Sequence, residues 1–431
     1  MSEALWRTSS LSDLVEDAIG GLWGSAPGSG KPDEADVLVV RGADFRDWSK
    51  RRALDAAPRR VPIRSLARRV LKQGDLVLEV SGGSSAQPVG RVVVIDELAV
   101  SQVSIPLICS NFCRKLRLKS GVDPFFVKRQ LDWLYQSGHT DRFQTSTTNI
   151  RNLQVADFLA GTQIMLPGKD VQAQLTAILD ATEDKRASST SHLVTARLAI
   201  ERFRQSVLTA ACSGRLTSAI NSREPAWVES TVEKVCEVIA DCPHSTPKWS
   251  ARGIVCLRTT NFTTRGLDLS VVRFVDEGTY RERTRRVEPL PGDVVYSREG
   301  GILGIACIIP SGIKACLGQR MMLMRPDPSR VMPRYLEILL NSPMTLARVA
   351  DMTGGTASPH LNVGEIKRFR VPLPSLEEQE SIVARADSLF SLADKVEKGM
   401  VSGATSLEKL KQSVLSRAFH GELISAEVST R

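Results

Sequence analysis

Two segments of the chain place apolar residues at alternating spacings of three and four, which is the pattern of a long helix that packs along one side. Each stripe covers about 45 residues, so each helix should extend about 68 Å at 1.5 Å per residue. The first stripe is polar in its middle, and Gly403 interrupts the second. The residues that we expect to pair the two helices are Leu175, Leu193, Ile200, Phe203 and Val207 in the first and Ile382, Leu389, Val396, Leu407, Leu410 and Val414 in the second.

One helix of this length cannot bury its apolar stripe alone, whereas two matching stripes in one chain can cover each other. The second helix must begin near the end of the first, which favours antiparallel pairing. Two alternatives remain. Each stripe could pack onto its own domain, or Gly399 and Gly403 could split the second helix into a hairpin.

The chain is built twice. FRQSVLTAACSGRL at residues 203–216 returns as LKQSVLSRAFHGEL at residues 410–423. Further upstream, GDLVLEVSGG at residues 74–83 matches GDVVYSREGG at residues 292–301. Self-similarity over such a distance indicates two copies of one structural unit.

The segments before each helix mix short β-branched runs with Gly, Ser and Thr turns, as in compact α/β domains of about 150 residues. We therefore predict an α+β protein in which two α/β domains are separated by two long antiparallel helices, with a pseudo-twofold internal duplication. The predicted boundaries are residues 1–165 and 222–372 for the domains, 166–221 and 373–425 for the helices, and 426–431 for a tail.

Charge and cysteine usage narrow the class of protein. A formal net charge of +9 favours an acidic polymer as partner, because Lys and Arg neutralise phosphates and release counterions. The 8 cysteines form neither a disulfide-dense nor a paired zinc pattern. The first residues, MSEALWRTSS, contain no apolar run, and no uncharged stretch is long enough to span a bilayer. We expect a cytoplasmic protein with no membrane contact.

Two polar segments, residues 138–152 and 353–362, lie just before the long helices and are rich in hydroxyls and amides. Arg suits guanine and Asn or Gln suits adenine, whereas clustered basic residues suit phosphates. For any single residue, a solvated loop followed by a helix N-cap is an equal alternative. The candidate DNA-contacting residues are Arg46, Lys50, Arg51, Ser84, Gln87, Arg142, Gln144, Thr147, Asn149, Arg151, Arg298, Gln319, Arg320, Thr356, Ser358 and His360.

Several motifs resemble catalytic ones without meeting their requirements. GSAPGSGK at residues 24–31 has the wrong glycine spacing for a phosphate loop and is followed by Pro32. Glu183 and Lys185 imitate a nuclease motif but fall within a helical heptad, and Cys242 with His244 lacks further metal ligands. We predict a chain with no catalytic residues and no metal site.

The segment ends IMLP and VPLP, the helix start LPSLEEQESIVARAD and the helix end LKQSVLSRAFHGEL, with their repeats, closely resemble the specificity subunits of type I restriction-modification enzymes. The resemblance implies two target-recognition domains, each for one half of a split site in double-stranded DNA, held apart by the paired helices. The first helix start, LPGKDVQAQLTAIL, departs from the family because it lacks the acidic pair of Glu377 and Glu378.

The resemblance also implies partners. Two methyltransferase (modification) subunits would dock on the helices and bind S-adenosylmethionine themselves, and motor-nuclease (restriction) subunits would bring ATP and Mg. This chain itself would hold no cofactor. Alternatives are an orphan or modification-only specificity subunit, a nuclease acting alone, and a coiled-coil adaptor that binds only protein.

Overall fold

A computed structural model describes residues 6–28, 31–84, 87–147, 150–217, 227–353 and 359–424. It divides into two compact units, the first formed by residues 1–191 and 403–431 and the second by residues 192–402. The division falls within both long helices, so each helix contributes one half to each unit.

The first unit is a mixed α/β fold with three small sheets and a strand pair. Its strands are β1 (Arg7–Ser10), β2 (Val15–Gly20), β3 (Glu34–Val40), β4 (Ala57–Pro62), β5 (Leu76–Glu79), β6 (Ser81–Gly83), β7 (Val92–Val94), β8 (Leu107–Cys109), β9 (Cys113–Leu118), β10 (Gln144–Thr147), β11 (Ile150–Leu153) and β12 (Gln163–Leu166). Its helices are α1 (Leu11–Leu14), α2 (Trp48–Arg51), α3 (Ile63–Leu66), α4 (Glu97–Ser101), α5 (Pro124–Gln136), α6 (Val155–Gly161) and the first half of α7 (Lys169–Ala211).

The second unit repeats this plan. Its strands are β13 (Val228–Thr231), β14 (Cys236–Asp241), β15 (Trp249–Ser250), β16 (Ile254–Leu257), β17 (Phe262–Thr263), β18 (Gly266–Leu267), β19 (Arg273–Val275), β20 (Val294–Ser297), β21 (Ala306–Ile308), β22 (Ala315–Leu317), β23 (Met321–Pro326) and β24 (Arg370–Leu373). Its helices are α8 (Val232–Val235), α9 (Glu277–Thr284), α10 (Pro333–Leu340), α11 (Pro343–Thr353), α12 (Val363–Lys367) and the first half of α13 (Leu376–Phe419).

The four-stranded antiparallel sheets of the two units have the same strand order. The first unit has a four-stranded antiparallel sheet in the order β2-β9-β5-β7, and the second has one in the order β14-β23-β20-β21. A second sheet contains one parallel pair, β3 with β8 in the first unit and β16 with β22 in the second. The predicted α+β class and internal duplication are therefore confirmed in each unit's own topology.

A buried ion pair recurs in the two four-stranded sheets. The carboxylate of Asp75 accepts two hydrogen bonds of 2.8 Å from Arg117, and that of Asp293 accepts two of 2.8 Å from Arg325. Both carboxylates are almost fully buried, so each depends on its arginine to offset the loss of hydration. This repeated pair shows that Asp75 and Arg117 of the first unit are equivalent to Asp293 and Arg325 of the second.

Both long helices begin with the same local device, and α13 is followed by a glycine that caps its end. The side chain of Gln172 donates to the Pro167 carbonyl oxygen at 2.9 Å, and that of Gln379 donates to the Pro374 carbonyl oxygen at 3.0 Å. At the end of α13, Gly421 has a φ of +77°, and the next amide, of Glu422, donates to the Arg417 carbonyl oxygen at 2.9 Å. This is a Schellman motif, which glycine favours because it has no Cβ. These devices explain why the helix ends are the best-matched parts of the duplication.

Within each unit the two helices pair antiparallel. In the first unit, Leu175 and Leu179 share a core with Leu415 and Phe419, while Arg186 lies 4.0 Å from Glu408. As residue numbers rise along α7, the residue numbers of the contacting positions on α13 thus fall. In the second unit, Val207 shares a core with Ile382 and Ala386, and Arg204 contacts Asp394 at 2.6 Å and Glu397 at 3.5 Å. The helix α13 runs unbroken through Gly399 and Gly403, so the hairpin alternative is wrong.

Three residues that were predicted to pair the helices are exposed instead: Phe203, Val396 and Leu410. Their C-terminal neighbours Arg204, Glu397 and Lys411 take the more buried positions. A straight helix has 3.6 residues per turn, so a strict 3.5-residue stripe drifts about 20° around it in each heptad. Of the remaining predicted residues, some are buried and others partly buried: Leu175, Val207 and Ile382 in the first group, Leu193, Ile200, Leu389, Leu407 and Val414 in the second.

Candidate nucleic-acid interface

In the first unit, the polar segment before α7 forms a hairpin of β10 and β11, and β11 pairs with β6. We call this three-stranded sheet, together with Ser84 and Gln87, the first edge. It brings together four predicted contact residues that are far apart in the sequence: Ser84, Gln87, Gln144 and Arg151. Strand β10 ends at Thr147, and Asn149 lies outside the described residues.

Not every polar group on the first edge is available to a ligand. The Gln144 amide accepts from the Val89 amide and donates to the Val89 carbonyl oxygen, both at 3.2 Å. It fastens the hairpin to the loop that contains Gln87, which is a supporting role and not the predicted contact with a base. Arg151 lies 3.5 Å from Asp141 and stays partly exposed, so it can exchange this weak pair for a phosphate.

Arg142 lies beside the first edge, exposed and stacked on Phe143, with 5.2 Å from its guanidinium carbon to the ring centre. It also contacts the ring of His139. Burial and the nearby Arg142 charge lower the pKa of His139, so this imidazole is neutral at pH 7. His139 therefore adds no positive charge beside the exposed Arg142.

The second unit has a corresponding surface, which we call the second edge: residues 298–301, 319–320 and 359–361. A β-bridge joins Glu299 to His360, and the Arg320 carbonyl oxygen accepts from the Arg298 amide at 3.0 Å. Predicted contact residues Arg298, Gln319, Arg320 and His360 therefore meet in one place. Thr356 and Ser358 lie outside the described residues.

Arg298 does not point toward solvent, contrary to its predicted contact with DNA. Only 7% of its side chain is exposed. Its guanidinium donates to both Asp241 oxygens, at 2.9 and 3.0 Å, and to the Leu361 carbonyl oxygen at 3.3 Å. His244 adds a second contact to Asp241 at 3.1 Å. This cluster holds the second edge in shape, and sequence reasoning missed the part of Asp241 because it lies on a distant strand.

Gln319 is also engaged, since its amide donates to the His244 carbonyl oxygen. Arg320 differs from both neighbours because it is exposed. Its side chain has no hydrogen-bond or ion-pair partner in the part of the chain that the structure describes. Among the described residues of the second edge, Arg320 thus has an unengaged guanidinium, whereas Arg298 and Gln319 are already hydrogen-bonded.

The two edges are built by the same backbone bonds. In the first, the Val80 amide donates to the Phe112 carbonyl oxygen at 2.9 Å, and the Leu153 amide donates to the Val80 carbonyl oxygen at 2.8 Å. In the second, Arg298 occupies the place of Val80, and the matching bonds to Arg320 and from Leu361 measure 3.0 and 2.8 Å. Phe112 and Arg320 therefore hold equivalent positions. The sequence could have revealed this equivalence, because β9 and β23 contain the matching arginines Arg117 and Arg325.

The remaining predicted basic residues of the first unit, Arg46, Lys50 and Arg51, lie outside the first edge. Arg46 is in the wall of a cavity of about 440 Å³, which is also lined by Arg52, Arg91, Lys128 and Arg129. Glu79 pairs with Arg91 at 2.5 Å. Lys50 is exposed, and Arg51 is bound by Asp55 at 2.5 Å. The cavity is not uniformly basic, because Arg52, Lys128 and Arg129 are paired with Asp96, Asp132 and Asp180, which also line it.

The residues excluded as catalytic have ordinary structural roles. Glu183 accepts from Arg186 on the same helix, and this bond lowers the pKa of the Glu183 carboxyl. Burial raises the pKa of the Cys242 thiol. Among the described residues, no three His, Cys, Asp or Glu side chains are grouped to hold a metal ion. None of the described helices is long and apolar enough to cross a bilayer.

The model of the type I restriction modification DNA specificity domain matches residues 259–400. The chain is 27% identical over 296 residues to the EcoBI specificity subunit of Escherichia coli, covering 65% of this chain and 62% of that one. It is 26% identical over 364 residues to the EcoKI specificity subunit of Escherichia coli strain K12, covering 81% of this chain and 75% of that subunit. The chain is therefore similar over most of its length to specificity subunits of type I restriction-modification enzymes.

The fold agrees with this family. A solved structure from work on complex assembly and conformational transition of the type I R-M system has a TM-score of 0.70 with this chain. The two share 16% sequence identity, with 97% of this chain and 98% of that one covered. The two chains therefore share a fold at low sequence identity.

Proposed function

We propose that this protein is the DNA-sequence-recognition subunit of a type I restriction-modification enzyme, in which each unit recognises one half of a bipartite site. The observation that carries the proposal is the duplicated edge: two copies of the family's fold present the same backbone frame with different polar side chains. A shared frame with different side chains is suited to recognising two different base sequences.

Exposed cations support an interaction with the DNA backbone. Arg142 lies exposed beside the first edge, and Arg46 and Lys50 are further exposed cations of the first unit. Phosphate contacts of this kind set position and affinity, whereas groups on the edges select bases. Binding should therefore weaken as salt concentration rises.

We further propose that the long helices dock two methyltransferase subunits. Outside the contact between α7 and α13, the two helices carry large apolar side chains that are more than half exposed. Such side chains are typical of protein-binding surfaces. These residues are Val194, Leu198, Leu392 and Val401.

In this proposal the methyltransferase subunits bind S-adenosylmethionine, and motor-nuclease subunits bind ATP and Mg, while this chain contributes no catalytic residue. Similarity to specificity subunits supports this division, since specificity subunits are non-catalytic. The assembled enzyme would act on double-stranded DNA in the cytoplasm.

Mapping of methylated adenines in cells with and without this chain tests the proposal. We expect methylation at one bipartite site to disappear with the chain and to return when it is supplied again. An unchanged methylation map would contradict the proposal. Metal-dependent cleavage by the purified chain would instead indicate a nuclease, and the absence of any salt-dependent DNA affinity would indicate an adaptor.

A further inference from the structure

We propose that Phe112 and Arg320 are a duplicated base-selecting pair, in which Phe112 contacts a thymine methyl group and Arg320 contacts a guanine. This inference rests on the proposed function and deepens it. Phe112 belongs to no polar motif, and its place in the fold identifies it.

The two residues occupy one structural position, as the matching backbone bonds to Val80 and Arg298 establish. Each immediately precedes a strand of the four-stranded sheet, β9 or β23. Each also lies next to the segment that pairs with the end of the polar loop. A ligand that lies along either edge would meet this side chain.

Phe112 is unusually exposed for its size and place. About half of it, 51%, is open to solvent beside a surface of Ser, Asn and Arg groups. Exposure of this much apolar area has a free-energy cost that contact with an apolar group removes. The thymine methyl is the apolar group that the major groove presents, and Phe is among the side chains that contact it.

Arg320 is held in a strained backbone conformation. Its φ is +70°, a region that side chains with a Cβ seldom adopt. The side chain lies across Gly300, where a Cβ would come within 3.3 Å of the Arg320 Nη1. Strain of this kind persists where the surrounding structure imposes it and is concentrated at functional sites. Arg320 presents an exposed, unengaged, two-pronged donor on the described part of the second edge, and such a donor matches guanine O6 and N7.

Selection of binding sites from a randomised duplex DNA library with the full chain tests both assignments. For wild type we expect a bipartite motif with a thymine in one half and a guanine in the other. Deoxyuridine in place of that thymine removes only the methyl group, and it should weaken wild-type binding about fourfold. The same DNA change should leave F112A unaffected. The control L98A removes a similarly exposed side chain (55%) from α4 and should retain the full thymine preference.

For the second unit, Arg320→Gly is the sharpest variant, because glycine tolerates a positive φ and the fold should be retained. Preference for guanine over other bases at one position should fall about 5- to 150-fold, with the melting temperature unchanged or raised. R320K should keep part of the preference. The control R330A removes the same charge beyond the opposite end of β23 and should leave the motif intact.

The outcomes separate the two proposals. If wild type enriches no motif, the proposed DNA-recognition function fails. If wild type enriches a bipartite motif that F112A and R320G also select unchanged, DNA recognition stands and this pair is not its determinant.

Discussion

The guanidinium of Arg298 binds both carboxylate oxygens of Asp241, at 2.9 and 3.0 Å, and so connects the start of the second edge to the end of β14. We expect Arg298→Ala to lower the free energy of unfolding by about 3 kcal/mol, because it removes both charged hydrogen bonds that Arg298 donates to the partly buried Asp241 carboxylate. Urea denaturation measures this change.

The control for Arg298 is Arg330→Ala, which removes an arginine whose side chain is 55% exposed and should cost less than about 0.5 kcal/mol. Equal losses in both variants would mean that the Asp241 pair is not a support. At urea concentrations where R298A is still folded, its recognition of the second half-site should weaken, whereas its recognition of the first half-site should be retained.

Recognition should be modular. Replacing residues 1–165 with the first domain of another family member should change one half of the recognised site and leave the other unchanged, since the second edge is built entirely within the second unit. Methylation mapping in cells that carry the hybrid measures this. A change in both halves would contradict recognition by separate units.

Arg204 supports the helix pair in the second unit through Asp394 and Glu397. We expect Arg204→Ala to destabilise the protein by about 1–2 kcal/mol, and the loss to be smaller at high salt because the partner carboxylates are partly exposed. Arg202→Ala, an exposed neighbour on the same helix, should have almost no effect. Similar losses for the two variants would exclude a role for the Arg204 pairs.

Two glycines in or after α13 should respond to alanine in opposite directions. At Gly421, with its positive φ, a Cβ would come within 3.0 Å of the Trp6 Nε1, so alanine should cost about 1–3 kcal/mol. At Gly399 a Cβ meets nothing within 4 Å, and alanine should add about 0.5–1 kcal/mol of helix stability. Thermal unfolding measures both, and a stabilising G421A would contradict the assigned helix end.

Buried thiols should make stability depend on alkaline pH. Burial raises the pKa of Cys109, Cys212 and Cys307 to about 12. A raised folded-state pKa stabilises the protein below the unfolded pKa of about 8.5, and this contribution is lost as pH rises toward 12. The free energy of unfolding should therefore decline across that window.

Thiol labelling at pH 8 offers a direct check. The thiolate fraction at these cysteines should be about a thousandfold lower in the native protein than in urea, and labelling should slow accordingly. Rapid native labelling of Cys109, Cys212 and Cys307 would show that they are not buried as described.

The sequence by itself determined the features that depend on neighbours along the chain. The long helices follow from apolar spacing, their ends from Gln172, Gln379 and Gly421, and the duplication from repeated local motifs. The polar segments before the helices were also evident, because turn and hydroxyl-rich composition is a local property.

Tertiary structure decided which of the candidate residues face solvent. Arg298 and Arg320 look alike in sequence, yet only the first meets Asp241, a residue 57 positions away in the chain. In the contact between the long helices, Glu397 occupies the more buried position and Val396 is exposed, because Glu397 pairs with Arg204 on the other helix. Pairings of this range depend on how distant elements pack, which residue spacing along one segment does not encode.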